Sequence, residues 1–334
     1  MKVNVKLAVL AAVALGILPS AAMAEVSTVR LAKQLGISYL PLTVMEEQGL
    51  LEKHAAEAGH EITVEWLRFT GGSGMNEALI SGNLDFASGG VGPLLTIWGR
   101  TQTNLGVKGV ATLNAMPIQL VSMKEGVGSI ADLTETDKIA LPAVKTSIQA
   151  VTLQMAAEKE FGEGEQHRLD PLTVSMGHTD AQLALMGGGS EITAHFGSSP
   201  FQEMELKDER ATLILDSYDV LGGPHTFNSV WASGRFVEAN PQITQAFVDA
   251  LKESMEFINA NPEEAAALWI EAESTNLSQE DAVAIITAET TEWTTTPKKV
   301  LDYLAFMNRV GLVEATTDNW QDIYFPMIHD EEGS

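Results

Sequence analysis

Apolar and polar side chains alternate with a period of two through Ile62, Val64 and Trp66, with Thr63 and Glu65 between them, which predicts a strand. The strand runs into Thr70-Gly71-Gly72-Ser73-Gly74, after which Ala78, Leu79 and Ile80 recur at helical spacing and Gly82 closes the helix. Ser73 is expected to cap that helix, because its hydroxyl can accept a bond from an orphan backbone N–H. Leu84 to Ala87 predicts a short strand, Gly89-Gly90-Val91-Gly92 a second loop, and Pro93 the start of a second helix. Both loops would leave the carboxyl ends of neighbouring parallel strands, with unpaired N–H groups aimed outward, where open α/β sheets bind small ligands. The same glycines would also serve as plain tight turns in an ordinary α/β domain. Nothing in the stretch supplies a nucleophile.

The same order of strand, loop and helix occurs on either side of this stretch. Thr28 to Ala32 predicts a first strand, Gly36 to Pro41 a loop, and Leu42, Val44, Met45, Leu50 and Leu51 a helix that ends near a glycine. Val110 to Leu113 and Gln119 to Met123 read as strands that carry the chain out of a first lobe. A second cycle follows: strand Lys138 to Pro142, polar loop Lys145 to Gln149, and a helix bearing Val151, Leu153, Met155 and Ala156. Strands at Leu172 to Met176 and Ile192 to Phe196 flank the loop Gly177-His178-Thr179-Asp180 and its helix. Leu213 to Ser217 and Phe227 to Ala232 would return the chain, and two passages between lobes permit a hinge. From Asn240-Pro241 the pattern is helical, with Asn240 as cap and Ile243, Phe247, Leu251, Met255 and Ile258 on one face. Asn261-Pro262 repeats the signal, Ser278 to Ala288 and Lys298 to Val310 predict two more helices, and 330–334 reads as a frayed tail.

Residues 1–24 are a different kind of segment. A basic leader with Lys2 and Lys6, an apolar run from Leu7 to Leu18 and Ala22-Met23-Ala24 have the form of a cleavable signal peptide, so the mature chain is expected to start near Glu25 and to lie in the periplasm. With 334 residues, 45% of them hydrophobic, the remainder can bury the cores of two lobes. The absence of cysteine removes disulfides, thiol chemistry and a lipid-attachment residue. The formal charge of −25 becomes −27 once Lys2 and Lys6 are removed with the leader, which argues against nucleic acid and anionic membrane surfaces. It does not argue against a small anion held by N–H groups at helix starts. The seven histidines never reach the close spacing of a zinc site, so no metal or cofactor is expected.

Three segments in order carry a family likeness: Tyr39 to Glu52 with its Pro41-Leu42 and Glu47-Gln48-Gly49-Leu50-Leu51, Ala78 to Ala87, and Phe236 to Pro241. Together, behind a signal peptide, they resemble the substrate-binding proteins of nitrate, sulfonate and taurine type ABC importers over nearly the whole mature chain. Leu51 stands where the family usually has an aromatic, and Pro142-Ala143-Val144 where many members have a glycine. The resemblance implies a type II periplasmic binding protein fold: two α/β lobes joined by two crossover segments, with C-terminal helices. The expected divisions are 25–115 and 221–334 for the first lobe with those helices, and 116–220 for the second. It further implies a monomeric, non-enzymatic receptor that captures a small organic or anionic solute, sulfonate or taurine first, and delivers it to a membrane permease with a separate ATPase. By position, contacts would come from Gly36, Ser38, Tyr39, Thr70, Gly72, Ser73, Gly90 and Val91 in the first lobe. Thr146, Ser147, Gln149, His178, Thr179 and Asp180 would face them, with Phe227 and Asn228 near the crossing.

Several of these residues have two readings. Thr146 and Ser147 either offer hydroxyls and N–H groups to an oxyanion or merely cap a helix. Lys145 beside them is expected to face solvent. His195 ends a strand and either touches the solute or is a hydrogen-bonded structural histidine. Tyr39 suits a wet cleft. Asp180 pointing inward would favour an amine, as in an aminosulfonate; pointing outward it is a partner of the helix dipole. Two other functions remain open: an enzyme on the same fold, resembling a pyrimidine-precursor synthase, and a sensor that passes its ligand to a membrane kinase. A cysteine-dependent sulfinate-cleaving enzyme is excluded by composition.

Overall fold

A computed structural model describes residues 25–334; the leader assigned to 1–24 lies outside them. The chain starts with β1 (Thr28–Lys33), a 3-10 turn at Ile37–Tyr39, α1 (Leu40–Gln48), α2 (Leu50–Glu57), β2 (Thr63–Arg68), α3 (Gly72–Ile80), β3 (Phe86–Gly90), α4 (Val91–Thr101) and β4 (Lys108–Thr112). It continues with β5 (Gln119–Ser122), β6 (Ile139–Leu141), α5 (Ile148–Phe161), β7 (Thr173–Ser175), α6 (His178–Met186), β8 (Ala194–Phe196), α7 (Phe201–Leu206), β9 (Thr212–Asp216) and α8 (Ser217–Leu221). Last come β10 (Asn228–Ala232), α9 (Gly234–Ala239), α10 (Pro241–Ala260), α11 (Pro262–Glu273), α12 (Gln279–Ile286) and α13 (Val300–Arg309).

The strands form two five-stranded sheets, ordered β2-β1-β3-β10-β4 and β7-β6-β8-β5-β9. The two orders are the same pattern. In each sheet the strand that arrives from the other lobe, β10 in the first and β5 in the second, is inserted antiparallel among parallel neighbours. β2 and β3 are not adjacent: both pair with β1, which lies between them. The strands that lead into the two glycine-rich loops are therefore separated by β1, because sheet order is set by pairing and not by order along the chain.

All five residues of β3 are buried, as a strand covered on both faces requires. Phe86 stacks on Phe247 of α10 with ring centroids 4.7 Å apart, and Phe236 meets its edge at 5.1 Å. The apolar stripe of α10 thereby closes one face of the first sheet. The two crossings run next to each other. Ala115 pairs with Thr226, and Phe227 N donates to Asn114 O at 3.1 Å.

Local expectations fail where a tertiary partner replaces a cap. Ser73 sits inside α3, whose N-cap is Gly71 without a side-chain cap. Asn240 does precede α10, but its Oδ1 accepts from Val26 N at 2.8 Å and its Nδ2 donates to Phe236 O, so it ties the segment before β1 to α9 and makes no cap bond. The helix expected over 42–51 is two helices, broken where Gly49 turns left-handed at φ 61. The tail is not frayed: Ser334 N donates to Pro297 O at 2.9 Å, and Glu331 accepts from the hydroxyls of Thr295 and Thr296 at 2.6 Å.

Candidate functional site

The amino ends of four helices meet where the carboxyl ends of the two sheets face each other. Three of them, α3, α4 and α6, are preceded by Gly71, Gly90 and Gly177 and have no side-chain cap, although the first N–H of α4, that of Val91, is taken by Phe227 O. The fourth, α5, is capped by Ser147, whose Oγ accepts from Ala150 N at 3.2 Å and donates to Ala143 O at 2.8 Å. Glycine is required here by close approach. A Cβ on Gly72 would lie 3.0 Å from Pro93, and one on Gly90 would lie 2.6 Å from Cγ2 of Ile148 across the cleft.

The lobes are shut on one another. Ser73 Oγ and Thr146 Oγ1 share a hydrogen bond at 3.0 Å between lobes, and the cleft between them keeps a cavity of about 20 Å³, room for about one water. Gly72, Gly90, Ser147, Gln149, Tyr39 and His178 line it, together with Phe227 and Asn228. No Lys, Arg, Asp or Glu does. On the first-lobe wall, Gln34 Nε2 donates to Tyr39 OH at 2.6 Å and Tyr39 OH donates to Asn228 Oδ1 at 3.2 Å. That chain fixes the amide of Asn228, which is 0% exposed, with its Nδ2 lacking any partner. A fully buried donor without an acceptor is costly unless something supplies one.

On the second-lobe wall, His178 Nδ1 lies 2.8 Å from His195 Nε2, and His195 Nδ1 lies 2.6 Å from Glu205 Oε1. His178 stacks on Phe201. Burial, with His195 beside it, holds the His178 imidazole well below its usual range; burial alone lowers His195 and raises the Glu205 carboxyl. The row is thus composed of neutral groups.

The remaining expected contacts lie elsewhere. Thr70, Thr179 and Asp180 line an outer recess of about 250 Å³ between Phe69 and Phe201, and Gly36 and Thr179 border another of about 280 Å³ beside Trp269. Val91 is fully buried and gives its N–H to Phe227 O at 3.2 Å. Ser38 is buried behind the wall, where its carbonyl accepts from Asn114 Nδ2. His195 stands one residue back from the cleft, bonded on both ring nitrogens. Lys145 is exposed.

Gln34, Pro93, Pro142, Ile148 and Ser198 also line the cleft and were not expected from sequence. Gln34 directly follows β1, so the strand-end reasoning that selected Thr70 and Gly90 applies equally to it. Nothing in the sequence distinguishes Glu205 from Glu203 or Asp208. Among the described residues no group of three or more His, Cys, Asp or Glu side chains has the arrangement of a metal site, and no helix is long and apolar enough to cross a membrane.

Comparison with known proteins agrees with this architecture. A binding protein of Brucella abortus (strain 2308) is 26% identical over 277 residues, 80% of this chain and 79% of the relative. The alkanesulfonate-binding protein SsuA from Xanthomonas axonopodis pv. citri, solved bound to MOPS, superposes with a TM-score of 0.70 at 17% identity, covering 87% of this chain and 96% of that one. The periplasmic nitrate-binding protein NrtA from Synechocystis PCC 6803 gives 0.68 at 16% identity, covering 92% and 90%. These likenesses establish the periplasmic binding protein fold. The NMT1/THI5-like family model matches residues 56–265, more than half of the chain, and the protein belongs to that family.

Proposed function

We propose that the protein is an exported receptor of an ABC importer that closes its two lobes on one small anion of the sulfonate or nitrate class and passes it unaltered to a membrane permease. The observation that carries this reading is the cleft's one-sided chemistry. Helix amino ends, the unpartnered Nδ2 of Asn228 and the absence of any lining carboxylate present donors to whatever is held. Converging N–H groups hold an anion without a cation, even in a chain of net charge −25. Sulfonate and nitrate binders share the fold, which agrees with the choice of anion. Asp180 borders the outer recess, so a plain alkanesulfonate or nitrate suits the cleft better than taurine, whose ammonium needs an acceptor.

A thermal-shift and calorimetric screen of ethanesulfonate, taurine, nitrate and bicarbonate tests it. At a hundredfold excess over Kd a true solute adds about 2.7 kcal/mol of apparent stability. Ethanesulfonate or nitrate should stabilise the protein more than taurine does. Stabilisation by a cationic amine alone, or conversion of any of these solutes to a product, would overturn the reading.

A further inference from the structure

We propose that His178, His195 and Glu205 form a buried relay that fixes the hydrogen-bonding polarity of the cleft, with a protonated Glu205 making His178 present an Nε2–H donor to an oxygen of the bound solute. The inference deepens the reading above and rests on it for the identity of the solute, but not for the relay itself.

The geometry decides the direction of each bond. Each of the two contacts, 2.8 Å between the imidazoles and 2.6 Å to the carboxyl, holds one proton. If Glu205 keeps its proton, it donates to His195 Nδ1, His195 Nε2–H donates to His178 Nδ1, and His178 carries its remaining proton on Nε2. The row then holds three protons and no net charge. If that proton is lost to solvent, both imidazoles reverse: His195 donates from Nδ1 to the carboxylate, His178 donates from Nδ1 to His195, and His178 Nε2 becomes a bare acceptor. The row then holds two protons and a charge of −1. One proton on a carboxyl two residues away thus turns the cleft from a donor into an acceptor.

Two structural facts favour the first state. Glu205 Oε2 is buried without any partner, an arrangement suited to a neutral acid with one bond and poorly suited to a carboxylate, which needs several donors. His178 Nε2 makes no hydrogen bond within the described residues and His178 lines the cleft, so its outer nitrogen is the end of the row that a solute meets. The surroundings add no cation. β5 and β6, on either side of β8, bear no titratable side chain; β9 ends in Asp216, α6 carries Asp180, and α7 carries Glu203 and is followed by Lys207. Glu203 is half-buried, with desolvation raising its carboxyl, and Lys207 is exposed and paired with Asp281. Across the cleft the row faces the neutral Gln34, Tyr39 and Asn228. Burial pushes Glu205 up to about 9, consistent with a proton retained at neutral pH.

The test has one arm without a solute and one with. In the free, full mature protein labelled with 15N-histidine, His178 should carry its proton on Nε2 at pH 7; a proton on Nδ1 overturns the proposal. In calorimetric titrations with ethanesulfonate and with nitrate between pH 6 and 10, affinity should be level to about pH 8 and fall toward tenfold per unit above the Glu205 midpoint. Glu205→Gln, whose amide donates to His195 at every pH, should flatten that fall. A fall of the same slope in Glu205→Gln overturns the relay. Should that variant fail to fold, the nitrogen shifts of the unaltered protein still decide, because both imidazoles must reverse together above pH 9. The expected tautomer with no binding of either anion at any pH upholds the relay and overturns the proposed solute class.

Discussion

The two walls of the cleft share a topology and differ in chemistry. The first-lobe wall, Gln34, Tyr39 and Asn228, is a row of groups that keep their protons, since burial pushes the Tyr39 phenol far above its usual range. It stands on long strands such as β3, whose five residues are all buried. The second-lobe wall stands on three-residue strands and ends in the row of His178, His195 and Glu205, each of which titrates. One wall supplies a fixed donor whose geometry is independent of pH, and the other a donor that pH can remove. Measurements that separate the walls therefore separate shape from protonation.

The largest expected effect is on acid stability. His195 is held down to about 3 and His178 well below its ordinary value, so both are neutral when folded and become protonated near pH 6.5 when unfolded. The histidines' contribution should be full above pH 6.5 and be lost as pH falls toward the folded values, by about 3 kcal/mol for His195 near pH 4, while the raised carboxyl of Glu205 changes stability in the opposite direction between its unfolded value and about 9. Urea midpoints of Glu205→Gln, which lacks that opposing carboxyl, at pH 7.5 and 4.5 measure it. His195→Gln should blunt the loss and Tyr39→Phe should not; the reverse would place the titration in the other wall.

Next comes Gly90→Val, which puts a branched side chain where even a Cβ would lie 2.6 Å from Ile148. The lobes should stay apart in small-angle scattering, and solute affinity should fall about 100-fold, the order expected for overpacking a tight contact. A closed variant with undiminished affinity would show that the glycine contact does not govern closure. Asn228→Asp keeps the acceptor for Tyr39 and replaces the free Nδ2 donor with a repelling oxygen, so calorimetry should show about tenfold weaker anion binding. The smallest effect belongs to Ser73→Ala, which removes the bond to Thr146. We expect about threefold to tenfold weaker binding, and Thr146→Val added to it should cost little more, because the two hydroxyls act as one pair.

The regions that were legible in the sequence are those in which one local signal has one structural outcome. Period-two strands at 62–66 and helical stripes such as Ile243 to Ile258 can bury their apolar faces in only one way, so they appear as β2 and α10. Glycine loops after strands led to the cleft, and Gly72, Gly90, Ser147, Gln149 and His178 do line it. Polar residues were harder to place. The hydroxyl of Ser73 looks like a cap and is instead bonded across the cleft, while that of Ser147, open to either reading in sequence, is a cap. A hydroxyl bonds to whichever partner the packing brings within reach, and spacing along the chain does not record that partner.

Sequence alone determined the kind of the main elements, the helical C-terminal third and the places where strand ends turn into helix starts, because periodicity, proline and glycine act within a few residues. Only the tertiary structure decided that β1 separates the strands leading into the two glycine loops, that Asn228 is left with an unanswered donor, and that Glu205 stands behind two histidines. Those facts depend on pairing and burial between residues far apart in the chain. Burial then sets whether each such group keeps its proton.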